Sequence, residues 1–324
     1  MKSLLQDVRQ YLFGVFSAND SPVGLELSRM NSGLAEIYGG RKSTIVRAEC
    51  TTNIRLRFKT DSQNVGLSLR FGDPARLIYA TDISVKDFDT ISVSPLDPAD
   101  GMDVNVRLPG SGMRDVTIHF PHLVKTWLKD LRIDDDASIE PAEPLAGKLL
   151  FIGDSIFQGM TASSPSRTLA AIAANLLQRD VVNVAVGGAT MDAAPVECAK
   201  EYGADIALVN FGVNDYAQGI TIDKFRKLTV ACAKALASNS AWKPIAISPV
   251  PYPNDSGKNA AGHTFAEFRK VFTDVMSSYS AITVLDGFEI LPNDNECYID
   301  GCHPNDMGSL LYGNAIAKAI KLLG

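Results

Sequence analysis

Residues 149–159 read LLFIGDSIFQG: four apolar side chains in a row, Leu149 to Ile152, then Gly153, Asp154 and Ser155. An apolar run without alternation is the pattern of a strand covered on both faces, as in a parallel sheet. The glycine and the small polar pair that follow mark a strand-to-helix turn, so Ser155 falls at a strand's C-terminal end. Nothing nearby in the chain could activate its hydroxyl, because no histidine lies between His122 and His263. A base for Ser155 must come from far along the chain.

The rest of the C-terminal half repeats the pattern. VVNVAVGG, IALVNFG, IAISPVP and ITVLDG are further unalternating runs, and helical faces lie between them. Phe225, Leu228, Cys232, Ala235 and Leu236 share one such face, and Phe265, Phe268, Phe272, Val275 and Met276 another. DMGSLLYGNAIAKAIKLL closes the chain as a helix. Strand alternating with helix predicts a doubly wound parallel α/β sheet with functional groups at the C-terminal strand ends.

Upstream of about residue 140 the period changes to two. Ile54, Leu56 and Phe58 alternate with Arg55, Arg57 and Lys59, and Val65, Leu67, Leu69 and Phe71 with small or polar residues. MDVNVRL and DVTIHF continue it, and KTDSQN, GDP and PGSG read as turns. Antiparallel strands without helical spacers predict a β-sandwich or jelly roll of roughly 120 residues. RIDDDASIEPAEP, with three aspartates and two prolines, reads as a linker. The expected domains are a sandwich over 1–140 and an α/β domain over 141–324.

Composition narrows the function classes. The 324 residues are 46% hydrophobic and 21% charged, ordinary for a globular protein. A net charge of −6 argues against a nucleic-acid partner, since phosphate binding needs clustered positive charge. No apolar run is long enough for a membrane span. The opening MKSLLQDVRQYLFGVF is interrupted by Asp7, Arg9 and Gln10, so no secretory signal is read and a cytoplasmic location is expected. Five scattered cysteines fit reduced thiols better than a disulfide framework, although Cys297 and Cys302, bracketing YIDG, could pair. The paired Cys and His spacings of a zinc site are absent, and no metal is expected.

Each strand of the second domain ends in a small polar motif: Gly153-Asp154-Ser155, Gly187-Gly188, Gly212 to Asp215, and finally YIDGCHPND with Asp300 and His303. Each has a plain structural reading as a helix cap or tight turn. GDSIF is not the G-x-S-x-G elbow, because Phe157 stands at the second glycine. A parallel sheet gathers these loops along one edge, which is the arrangement a serine, a base, a carboxylate and hydrogen-bond donors require.

FIGDS, NVAVGG, GVND and DGCHPND, in that order over about 147–324, resemble the four motif blocks of the SGNH hydrolases, also called GDSL esterases/lipases; GDSI stands here for the namesake GDSL. The resemblance implies a flavodoxin-like three-layer α/β/α fold and ester hydrolysis without metal or organic cofactor. It assigns Ser155 as nucleophile, His303 as base and Asp300 as its partner. It assigns the oxyanion donors to the Ser155 and Gly188 backbone N–H groups and the Asn214 side-chain amide. Asp154 is the poorer partner for His303, because consecutive side chains diverge. RLIYA and VRLP help the first domain resemble the sandwich that precedes the hydrolase domain in some relatives, including certain carbohydrate esterases. The expected partner is a small acyl ester, acetyl foremost, with an acylated sugar as one candidate. An acyltransferase with the same triad and a noncatalytic carbohydrate-binding protein are the alternatives. PYPNDSGKNAAGHTF, after the fourth strand, is expected to face the substrate.

Overall fold

The computed structural model describes residues 1–253 and 257–323. It contains two compact units: Met1–Asn31 with Ile45–Leu145 and Ser163–Ser166, and Ser32–Thr44 with Ala146–Ala162 and Arg167–Gly324.

The first unit is built on two six-stranded antiparallel sheets. One runs in the order Ser17–Ser21, Gly24–Ser28, Val124–Ile133, Asn64–Pro74, Met102–Arg107, with Lys2–Ser3 added to Val124–Ile133. The other runs Ile139–Pro141, Arg55–Thr60, Arg114–His119, Thr81–Val85, Ile91–Val93, with Leu12–Phe13 added to Arg55–Thr60. The register sets Leu56 opposite Ile118 and Phe58 opposite Val116 in one sheet, and Leu67 opposite both Val104 and Leu131 in the other. Period-two alternation thus sends one apolar row from each sheet into a shared core, where Leu56, Phe58, Ile118, Leu67, Leu131 and Ile133 are fully buried.

The stretch read as a linker is largely part of this sandwich. Asp134 accepts hydrogen bonds from the backbone N–H groups of Gln63 (2.8 Å) and Asn64 (3.0 Å), so the triple aspartate is a locked turn. Ile139–Pro141 then pairs along Arg55–Thr60. Ser163–Ser166 joins this unit through the buried Asp82 carboxylate, which accepts from the Ser164 hydroxyl at 2.6 Å and the Ser166 N–H at 2.9 Å.

The second unit holds five parallel strands, β1 (Lys148–Gly153), β2 (Asp180–Asn183), β3 (Ile206–Asn210), β4 (Lys243–Ile247) and β5 (Thr283–Leu285). Their order, β2-β1-β3-β4-β5, is the flavodoxin-like doubly wound arrangement. β1 and β3 are central and almost wholly buried, which is why their sequences carry no alternation. Helix Asp306–Leu322 packs on Leu169–Leu177, and Ile222–Ala237 on Phe265–Ser277, where the Phe225 and Phe268 ring centroids lie 4.7 Å apart. Helix Ser32–Tyr38, from the N-terminal part of the chain, packs against Ala194–Cys198 in this unit. Among the described residues no helix is long and apolar enough to cross a membrane.

Candidate active site

β1 ends at Gly153, and Asp154 caps the short helix Ser155–Gln158 by accepting the Ile156 N–H at 3.0 Å. Ser155 is therefore the first helical residue, at the strand's C-terminal edge. Its N–H belongs to the helix-start donors left without an intrahelical acceptor.

Ser155 and His303 meet across the fold. The Ser155 Oγ lies 2.8 Å from His303 Nε2, and His303 Nδ1 lies 2.8 Å from Asp300 Oδ2. A carboxylate can only accept, so Nδ1 carries the imidazole proton and Nε2 is free to accept the Ser155 O–H. Asp300 also shapes the loop that carries its partner: its Oδ1 accepts the backbone N–H groups of His303 (2.8 Å) and Cys302 (3.1 Å). Burial raises its pKa, but these bonds and the imidazole outweigh it and hold the carboxyl below the usual carboxylate range. The loop is closed by the Tyr298–Pro304 bridge and tied down where the Thr161 hydroxyl donates to the Pro304 carbonyl at 2.8 Å.

The two remaining expected residues lie on adjacent loops. Gly188 follows β2 with φ of 83°, a left-handed conformation that a side chain would strain. The turn is anchored on both sides, as Val186 N–H donates to the Gly153 carbonyl at 3.0 Å and Gly187 N–H to Gln158 Oε1 at 2.7 Å. Asn214 opens helix Val213–Ala217 after β3. Its Nδ2 donates to the Ala189 carbonyl at 2.9 Å and lies 3.4 Å from Asp154 Oδ2. The Asn214 amide thus ties the third motif to the residue after Gly188 and to the residue before Ser155.

Sequence reasoning weighed Asp154 only as a rival partner for the histidine. The structure makes it the buried centre of the site's scaffold, joined to helix and amide. Burial, helped by the nearby Asp215 charge, pushes its pKa up to about 7. Asp215, also buried, accepts the Met191 N–H at 3.0 Å, and burial pushes it up to about 6. Gln158 and Asn183 were missed too; Asn183 donates to the Phe157 carbonyl at 2.7 Å and fixes the helix from beneath. The one available signal was Asp154 itself, a preferred N-cap residue ahead of a helix. Cys297 and Cys302, left open as a pair, are free thiols. Among the described residues no group of three His, Cys, Asp or Glu side chains is placed to hold a metal ion. Of the loop expected to face the substrate, Asn254, Asp255 and Ser256 lie outside the described residues.

With this geometry in place, residues 151–311 match the GDSL-like lipase/acylhydrolase family. That stretch belongs to it. Solved structures extend the likeness to both units. A salicylyl-acyltransferase from a tetracycline biosynthetic pathway is 22% identical with a TM-score of 0.81, over 97% of this chain and 94% of that one. A GDSL-like lipase from Bacteroides ovatus is 17% identical with a TM-score of 0.77, over 96% and 95%. A carbohydrate esterase family 2 enzyme with a carbohydrate-binding domain, from Corynascus thermopiles, is 16% identical with a TM-score of 0.66, over 84% and 94%. At these identities the likeness concerns the fold alone. No curated protein sequence matches the chain.

Proposed function

We propose that the protein is a serine esterase that removes small acyl groups, acetyl foremost, from hydroxylated substrates such as sugars. The observation that carries this is the Asp300–His303–Ser155 line, with both links at 2.8 Å. A serine hydroxyl is a weak nucleophile until a base takes its proton. In the proposed reaction His303 Nε2 takes it as Ser155 Oγ attacks the ester carbonyl, and Asp300 stabilises the imidazolium. The carbonyl oxygen becomes an oxyanion, met by the N–H groups of Ser155 and Gly188 and by the Asn214 amide. His303 then returns the proton to the departing alcohol and leaves an acyl group on Ser155. A water molecule, deprotonated by His303, releases the acid.

The full-length likeness to an acyltransferase favours a second reading, in which an acceptor alcohol replaces that water. One experiment separates them. The full chain is assayed on p-nitrophenyl esters of rising acyl length and on acetylated xylo-oligosaccharides, with and without added alcohols. Free acetate, released fastest from the shortest esters, supports the esterase. Acyl transfer to the alcohol at the expense of free acid supports the transferase. No turnover of any ester, in a protein whose Ser155 also resists a serine-directed phosphonate, overturns both.

A further inference from the structure

The sandwich carries a pocket of its own, of about 460 Å³, between the hairpin after Thr81–Val85 and the turn after Met102–Arg107. None of its lining residues comes from the second unit. Its size lies within the roughly 300–1,000 Å³ of small-molecule sites. We infer that it binds a neutral saccharide, with one pyranose ring stacked on Phe88.

The lining supplies both halves of that chemistry. Phe88 is an aromatic side chain left 48% exposed. Around it stand Arg107, Asp89 and Gln63: a donor fork, an acceptor and an amide that does both. Among the described residues the Arg107 guanidinium and the Asp89 carboxylate form no ion pair or side-chain hydrogen bond. A pyranose has an axial C–H face to lay on an aromatic ring and hydroxyls at its rim that both donate and accept. A purely apolar ligand would strip water from Arg107 and Asp89 and return no hydrogen bond. An anion would gain from Arg107 and lose to Asp89. A neutral polyol uses all three polar side chains.

The walls are held before any ligand arrives, which lowers the ordering cost of binding. The largely buried Arg114 guanidinium donates to the carbonyls of Pro109 and Gly110, both at 2.9 Å, and so fixes the floor. Leu108 N–H donates to the Gln63 carbonyl at 2.9 Å. Gly110 adopts φ of 77°, and a Cβ there would stand 2.9 Å from the Phe88 ring. The ring rests on the glycine, and only glycine leaves it that place.

The test uses the full chain, ¹⁵N-labelled, titrated with cellotriose and xylotriose, and with glucuronate as the charged control. Expected are amide shifts confined to Gln63, residues 88–91, Arg107, Leu108 and Gly110, saturating in the millimolar range for a neutral sugar. Phe88→Ala and Arg107→Ala should each weaken binding about tenfold or more, with melting temperature and p-nitrophenyl acetate turnover unchanged. Gly110→Ala, which displaces the ring, should weaken binding as well without removing a ligand contact, with turnover unchanged and a somewhat lower melting temperature from its positive φ. The inference is overturned by no shifts at about 50 mM trisaccharide, by shifts only around Ser155 and His303, by binding of glucuronate alone, or by a Phe88→Ala protein that binds as the parent does. The esterase reading stands or falls separately, because its readout is turnover.

Discussion

Asp154 Oδ2 lies 3.4 Å from the Asn214 amide nitrogen while Oδ1 of the same carboxyl caps the helix that begins at Ser155. One buried group therefore positions both the proposed nucleophile and a proposed oxyanion donor. Burial and the Asp215 charge raise its pKa to about 7, well above the ~3.9 of an unfolded aspartate. Between about pH 4 and pH 7 the folded state holds a proton that the unfolded state has released. Stability must therefore fall as pH rises through that window and level off above it. Asp154→Asn keeps an oxygen for the Ile156 N–H but cannot ionise. Its melting temperature should gain on the parent's from pH 4 to pH 7, with a full effect on the order of 4 kcal/mol at most. Melts at five pH values check this, and a constant offset would contradict it.

Asn214 donates to the Ala189 carbonyl at 2.9 Å and to Asp154 Oδ2 at 3.4 Å, and a further bond is proposed to the oxyanion. Asn214→Ala should lower kcat by about 10²–10³, the typical effect of losing one oxyanion donor, with KM nearly unchanged. Asn214→Asp should be worse, since it presents an acceptor to the oxyanion and a second carboxylate to Asp154. Equal losses in kcat and in binding would point to a purely structural role.

Ser155→Ala should abolish turnover and phosphonate labelling while leaving the melting temperature near the parent's, because among the described residues the hydroxyl's one side-chain bond is to His303. His303→Ala should be comparably severe, because it removes the base that takes the Ser155 proton. Asp300→Asn should be milder, because an amide oxygen can still accept the His303 and Cys302 backbone N–H groups that shape the loop. Near-parent kcat in either alanine variant would remove that residue from the mechanism.

The parallel sheet was legible because full burial erases alternation, and its strand-end motifs foretold which loops would meet. The juxtaposition of Ser155 with His303, 148 residues apart, follows from that edge. Strand Val124–Ile133 was not legible: Val124, Thr126 and Leu128 face the core, then Leu131 and Ile133, because a bulge between Leu128 and Asp130 shifts the parity. Helix Ser32–Tyr38 escaped notice because it buries only Leu34 and Tyr38, too few to print a helical period. The scaffold role of Asp154 was not legible because the groups that give it weight, Asn214 and Asp215, are brought to it by the fold. Its own neighbours in the chain say only that it can cap a helix.

The last prediction concerns a glycine packed against the loop that carries Asp300 and His303. Gly308 lies in the first turn of helix Asp306–Leu322, its N–H donating to the Asn305 cap at 3.0 Å. A Cβ at this position would overlap the Cys297 carbonyl oxygen and come within 3.0 Å of the Pro304 side chain. That carbonyl also accepts the Asn305 N–H at 3.0 Å, closing the segment that carries Asp300 and His303. Two effects of Gly308→Ala oppose each other. Helix propensity favours alanine by about 1 kcal/mol. The overlap is with backbone, which cannot rotate away as the end of a side chain can, and overpacking of this kind costs about 1–3 kcal/mol. The overlap should win, either as a lower melting temperature or as a displaced loop. Displacement would lengthen the His303–Ser155 contact, and a misplacement near 1 Å costs about 10²-fold in rate. The expected protein is folded, a few degrees less stable and at least tenfold slower in kcat, with phosphonate labelling of Ser155 slowed in proportion. A Gly308→Ala protein that is more stable than the parent and just as fast would show that the helix start and the histidine loop are not in the close contact described.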